Sequence, residues 1–201
     1  ALEALIAKGT IGVIKMEVVR NAEPADNFLH KVRDLATRNG IVLVFDECTS
    51  GFRETFGGLH KKYGVEPDMA VYGKTLGNGY AITAVVGRSE VMEAAQTTFI
   101  SSTFWTERIG PSAALRTLDV MGRLAPWDTI TATGLDIRKR WLALAEKHGL
   151  AINVGGLPSL GNFAFQSDNH QVYKTLITQE MLEKGFLATN AVYTCIAHTP
   201  D

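Results

Sequence analysis

The sequence predicts an α/β protein, a mixed and mostly parallel sheet with flanking helices, followed by a small C-terminal α+β domain. Three observations carry this expectation. An apolar run from Ile41 to Phe45 ends on a single acid, Asp46, and a second run, Met69 to Tyr72, ends on Gly73 and a single lysine, Lys74. Both runs have the length and β-branched content of strands buried on both faces, the pattern of parallel sheets. Ahead of them, Phe28, Leu29, Val32, Leu35 and Ala36 recur at helical spacing and Asn39 and Gly40 supply a stop, so 24–38 reads as a crossover helix between parallel strands. Residues just past the carboxyl ends of such strands face a ligand crevice. Asp46 and Lys74 are therefore expected to open into one pocket.

The other elements follow in order. Residues 2–7 read as the tail of a helix stopped by Gly9, and 10–19 as an apolar strand carrying Glu17 near its end. His60, Lys61 and Lys62 form a short basic cluster expected to be a wet helix face, and an acidic pair such as Asp46 and Glu47 has a bland reading as a solvated strand end. Residues 83–87 read as a returning strand and 89–95 as a helix with Ser89 as its N-cap. The stretch 97–106 is rich in hydroxyls and aromatics, and 109–124 is a helix entered through Pro111. Pro126 and Trp127 mark the expected domain change, giving 1–125 as part of a large domain and 126–201 as a small one. In the latter, a long amphipathic helix at 128–148, strands at 151–154 and 162–166, a helix at 171–184 and the stretch 186–190 alternate on a small scale. His30, His170 and His198 are isolated and expected to be exposed or structural.

Composition excludes several classes. The 201 residues are 46% hydrophobic and 20% charged, globular in balance, with room for one sizeable core and a smaller one. A net charge of −1 and a pI near 6.6 make no electrostatic case for nucleic acid or an anionic membrane surface. The two cysteines, Cys48 and Cys195, lie far apart, which suggests neither a disulfide framework nor a zinc site. No apolar run approaches the roughly 18 residues of a membrane span, and a cytoplasmic home is expected. Two nucleotide motifs fail on counting. A phosphate-binding loop of the Walker type needs glycine where Asp68 stands, and a dinucleotide fingerprint starting at Gly77 needs glycine where Ile82 stands.

Three stretches carry a resemblance: FDECTSGFR at 45–53, YGVEPDMAVYGKTLGNG at 63–79 and SSTFWTERIGPSAALRTL at 101–118. In their order and spacing the chain resembles the class III pyridoxal-phosphate aminotransferases, which include the glutamate-1-semialdehyde aminomutase type. The resemblance implies the fold-type I architecture and pyridoxal 5'-phosphate as cofactor. It implies Lys74 as the amine that forms a Schiff base with the cofactor aldehyde and then moves the substrate α-proton, and Asp46 as the carboxylate that keeps the ring nitrogen protonated. In the family the position two after this aspartate lies against one face of the ring, and Cys48 occupies it here; Cys48 reads equally as a plain core residue. Thr103 is implied to bind the cofactor phosphate of the partner subunit across a homodimer, with a loop threonine serving its own backbone as the alternative. Glu17 stands where the family often has a glutamate–proline pair near the site, but Val18 replaces the proline, and an ordinary charged strand end fits as well. Arg53 reads either as a fork for a substrate carboxylate or as a solvated loop arginine.

The implied substrates are a small-molecule amino donor and a carbonyl acceptor. The 102–118 stretch and the ending VYTCIAHTP are most like a branch associated with sugar or polysaccharide pathways. An intramolecular aminomutase is the alternative within the enzyme class. Family members carry a phosphate-binding turn and a ring-stacking aromatic ahead of the point where this sequence opens, and neither is found here. The 201 residues are thus expected to be part of a longer polypeptide, and a catalytically incompetent incomplete domain is the reading from outside that class.

Overall fold

The computed structural model describes residues 1–20 and 22–199; Pro200, the last residue of the VYTCIAHTP stretch, lies outside them. Along the chain come α1 (Leu2–Ile6), β1 (Val13–Met16), α2 (Phe28–Arg38), β2 (Val42–Asp46), α3 (His60–Tyr63), β3 (Met69–Tyr72), β4 (Ala84–Gly87), α4 (Ser89–Met92) and α5 (Ile109–Leu124). A one-turn 3-10 helix, Lys74–Leu76, follows β3, and a second, Glu93–Thr97, follows α4. The strands form one sheet in the order β1-β2-β3-β4, with β1, β2 and β3 parallel and β4 returning antiparallel on β3. The chain divides into two compact units, Ala1–Val18 with Pro24–Ala125, and Val19–Glu23 with Pro126–Asp201.

The first unit forms around β2. Leu43, Val44 and Phe45 are buried in succession, which requires cover on both faces, and α2 presents Leu29, Val32 and Ala36 from one stripe of its surface. β3 differs from expectation in alternating. Ala70 and Tyr72 are buried in a cluster with Phe52, Leu76, Ala114 and Met121, while Met69 and Val71 are half-buried. That cluster fixes α5 and the 3-10 turn after β3 in one apolar core.

Several local expectations are corrected. The strand read over 10–19 is only Val13–Met16, with a ladder that pairs Val13 with Val42 through Met16 with Phe45. Glu17 therefore lies beyond the strand. The helix read from 24 begins at Phe28, since Asp26 and Asn27 take φ of 52° and 55°, outside the helical region. Ser89 is the first helical residue and Arg88 the N-cap, with no side-chain capping bond. His60 and Glu47 belong to no wet surface: they are 3% and 0% exposed and pair with each other.

In the second unit α6 (Trp127–Lys147) and α7 (His170–Glu183) accompany an antiparallel sheet of β5 (Ile152–Gly155), β6 (Leu160–Phe165) and β7 (Ala191–Tyr193), in that order. The stretch 186–190 leads into β7 rather than forming it. Trp141, Phe163, Phe165 and Tyr173 stack edge to face in a chain, with centroids 5.0, 5.7 and 5.4 Å apart. Gly134 lets α6 touch the loop before β6, where an added Cβ would lie 1.9 Å from the Pro158 carbonyl oxygen. Among the described residues no helix is long and apolar enough to cross a membrane, and no group of three or more His, Cys, Asp or Glu is placed to hold a metal ion.

Candidate active site

Asp46 is the last residue of β2, and its register partner on β3 is Val71, three residues before Lys74. Asp46 and Lys74 thus come at the carboxyl ends of two adjacent parallel strands, at one end of the sheet. Lys74 opens the 3-10 turn with φ of 41°, the left-handed region. For a non-glycine residue that conformation costs about 1–3 kcal/mol, and such strain concentrates at functional sites. Backbone bonds from Gly77 N at 3.2 Å and Asn78 N at 3.1 Å to the Lys74 carbonyl hold it. A Cβ at Gly73 would be 3.4 Å from Cys48 Sγ, so the sulfur packs against the backbone between the two strands.

The charges are ordered around Asp46. Lys15 Nζ donates to Asp46 Oδ2 at 2.7 Å, and the Cys48 amide donates to Oδ1 at 3.2 Å. The Lys15 hydrogen bond, working against partial burial and with help from Cys48, holds the Asp46 carboxyl below the usual carboxylate range. Lys15 is pushed up in return by the same bond. Burial first, then the Asp46 carboxylate, raise the Cys48 thiol, while Lys74 and Lys15 pull it down; Cys48 therefore stands within electrostatic reach of both lysines. The Lys74 amine donates to Thr49 Oγ1 at 2.9 Å. Asp46, Cys48, Thr49, Lys15 and Lys74 form one constellation.

Of the other predicted residues, Glu17 acts on Lys15 electrostatically and Arg53 bonds to the Thr49 backbone. Thr103 is exposed in the turn 103–106 ahead of α5, beside the exposed Phe99, Phe104 and Trp105. Glu17 is half-buried just past β1. Arg53 is half-buried and donates from Nε to the Thr49 carbonyl at 2.7 Å, so it braces the loop instead of waving in solvent.

Sequence reasoning missed Lys15, Thr49 and Glu47. Lys15 carries a visible signal, since it is a cation inside an apolar strand run. It aligns with Val44, and Asp46 lies two residues on, which puts both side chains on one face of the sheet. Thr49 and Glu47 lie inside the quoted motif, but nothing local says which hydroxyl meets the lysine or which acid turns inward.

Residues 19–200 match the aminotransferase class-III family. The chain belongs to that family. It is 37% identical over 184 residues to a 3-aminobutyryl-CoA aminotransferase of Cloacimonas acidaminovorans, covering 89% of this chain and 44% of that protein. It is 27% identical over 212 residues to a glutamate-1-semialdehyde 2,1-aminomutase of Natranaerobius thermophilus, covering 94% and 49%. Among solved structures, the FumI protein of Sphingopyxis sp. MTA144 in its PLP internal aldimine form superposes with a TM-score of 0.88 at 26% identity, covering 99% of this class-III chain and 50% of that one. These neighbours confirm the fold-type I architecture. The chain spans less than half the length of the two curated relatives.

Proposed function

We propose that this class-III aminotransferase chain supplies Lys74, Asp46, Cys48 and Thr103 to a pyridoxal 5'-phosphate site, and that the protein moves an amino group between a small-molecule amino donor and a carbonyl acceptor. One observation carries the reading: an ionised carboxylate and a lysine amine stand at the ends of neighbouring parallel strands, with the Cys48 sulfur between. The residues fit the cofactor in chemistry, with a carboxylate suited to a ring N–H, an amine suited to an aldehyde, and a polarisable sulfur suited to a ring face. When bound, pyridoxal phosphate supplies the aldehyde and the electron-withdrawing ring that makes the substrate α-proton acidic. Asp46 would accept from the ring nitrogen and favour its charged form. Lys74 Nζ would take that proton and return it, with the Thr49 hydroxyl steadying its direction.

Thr103 serves the phosphate of a second copy in a homodimer. Support comes from its place in an exposed aromatic stretch, since apolar surface of that kind is ordinarily covered by a partner. The first substrate class to examine is a 3-amino acyl thioester, because the 37% identical relative bears the name 3-aminobutyryl-CoA aminotransferase. A sugar-related acceptor, which two sequence stretches suggest, ranks behind it. The relative named as an aminomutase supports a second reading, intramolecular amino transfer through the same residues.

The test is borohydride reduction of the full-length protein with pyridoxal phosphate, followed by peptide mass mapping. A pyridoxyl adduct confined to Lys74 and lost in Lys74→Ala is expected. No adduct from a folded, dimeric sample overturns the reading. With the adduct in hand, a donor screen that follows whether free keto product leaves separates transfer from mutase action.

A further inference from the structure

Glu47 lies next to Asp46 yet points away from solvent, fully buried. Its Oε1 accepts from the His60 amide at 3.0 Å and faces His60 Nδ1 at 2.9 Å, and its Oε2 accepts from Ser50 Oγ. Burial works to raise this carboxyl, but the His60 and Ser50 bonds with the His60 and Leu59 amides outweigh it and hold it down. His60 is itself buried, with its ring 5.9 Å from that of Phe45.

These bonds make Glu47 a chord across a loop. Its own amide donates to the Val71 carbonyl at 2.8 Å, tying the loop to β3, and its carboxylate joins Ser50 near the start to His60 at the end. Inside the loop, Phe52 N donates to Gly57 O at 2.7 Å and Thr55 Oγ1 to Gly58 O at 2.8 Å. The loop also lies hard against β3: a Cβ on Gly51 would be 2.8 Å from the Tyr72 ring, and one on Gly58 2.8 Å from the Tyr72 hydroxyl. The side chain that this tightened loop delivers to Lys74 is Thr49. A buried carboxylate is a poor way to gain stability alone, since desolvation offsets most of what its bonds return; specifying one geometry is the better account of it.

We propose that Glu47 is a positioning residue for the reaction: by closing the 47–60 loop it holds the Thr49 hydroxyl against the Lys74 amine and so sets where that amine points. The proposal rests on the reading of Lys74 as the cofactor lysine. Its test uses the full-length protein freed of cofactor and acetic anhydride as probe, with acetylation of Lys74 followed by peptide mass mapping against the exposed Lys31 as internal reference. Thr49→Val and Glu47→Gln are each expected to change the Lys74-to-Lys31 labelling ratio by roughly threefold to tenfold, the effect of freeing an amine from one charge-assisted hydrogen bond. The double variant is expected to go no further than Thr49→Val. Asp68→Asn, which cuts a buried network elsewhere in the same unit, is expected to lower the melting temperature and leave the ratio alone. The yield of borohydride-trapped adduct with pyridoxal phosphate is expected to fall in Glu47→Gln. Should Glu47→Gln not fold, Ser50→Ala and His60→Gln each withdraw one donor and are expected to move the ratio less, in the same direction. A wild-type adduct on Lys74 together with a ratio unmoved by the loop variants, or moved as far by Asp68→Asn, overturns the role of Glu47. No wild-type adduct with the labelling order intact overturns the cofactor reading instead.

Discussion

Gly77→Ala tests how tightly the backbone holds Lys74. Gly77 caps the 3-10 turn that Lys74 opens, at φ −87° and ψ −17°, a right-handed conformation that alanine adopts freely. On backbone preference alone the change would stabilise by about 0.4–1 kcal/mol through the unfolded chain. Space decides otherwise. The new Cβ would lie 2.1 Å from the Tyr80 carbonyl oxygen and 2.8 Å from Ile82 Cγ2, and the first of these is backbone that no rotamer moves aside. Relief needs a displacement of about 1 Å to restore ordinary contact, and overpacking of this kind costs about 1–3 kcal/mol. The clash wins, with a net loss of roughly 1–2 kcal/mol. Because Gly77 N and Asn78 N both donate to the Lys74 carbonyl, the shift is passed to the lysine. A 1 Å misplacement of a reacting group costs about 10²-fold in rate. Urea unfolding of the full-length protein reads the first effect, and the rate of borohydride-trapped adduct formation reads the second. A variant with the wild-type urea midpoint and wild-type trapping rate would refute the reasoning.

Two further predictions concern pH. Burial raises the Asp68 carboxyl, but the Leu43 amide at 2.8 Å, Arg33 at 2.8 Å and Arg88 at 3.1 Å outweigh it and hold it below the usual range. A depressed acid stabilises above its unfolded value, near pH 4, and that contribution is lost as pH falls through the folded value. Asp68→Asn is therefore expected to cost about 1–3 kcal/mol at neutral pH and to flatten the acid limb of a urea-midpoint profile; an unchanged limb counts against the network. Tyr72 is pushed up to about 12 by burial and then by Glu47 and Glu66. Its raised phenol contributes stability below its unfolded value near pH 10, and this is lost as pH rises through the folded value. Absorbance titration of the five tyrosines is expected to show a late ionisation that Tyr72→Phe removes, and a titration complete by about pH 11 in folded protein would contradict it.

Much of the fold was legible because its signals are local. Met69–Tyr72 and Ile109–Leu124 stand where the apolar run and the Pro-entered helical spacing put them, and Asp46 and Lys74 come at the ends of two adjacent parallel strands, as the apolar runs led one to expect. Strand ends were less legible: β1 stops at Met16, opposite Phe45, although β2 runs on to Asp46. By itself the sequence determined which residue types are on offer: an acid and a lysine after two apolar runs, in the order and spacing of one family. Which charges meet was decided by tertiary structure alone. Lys15 reaches Asp46 from 31 residues away, and Glu47 and His60, each polar enough to read as surface, are buried because each satisfies the other across 13 residues. Hydrogen bonding and desolvation act through space, and a linear pattern records only what lies within a turn or two along the chain.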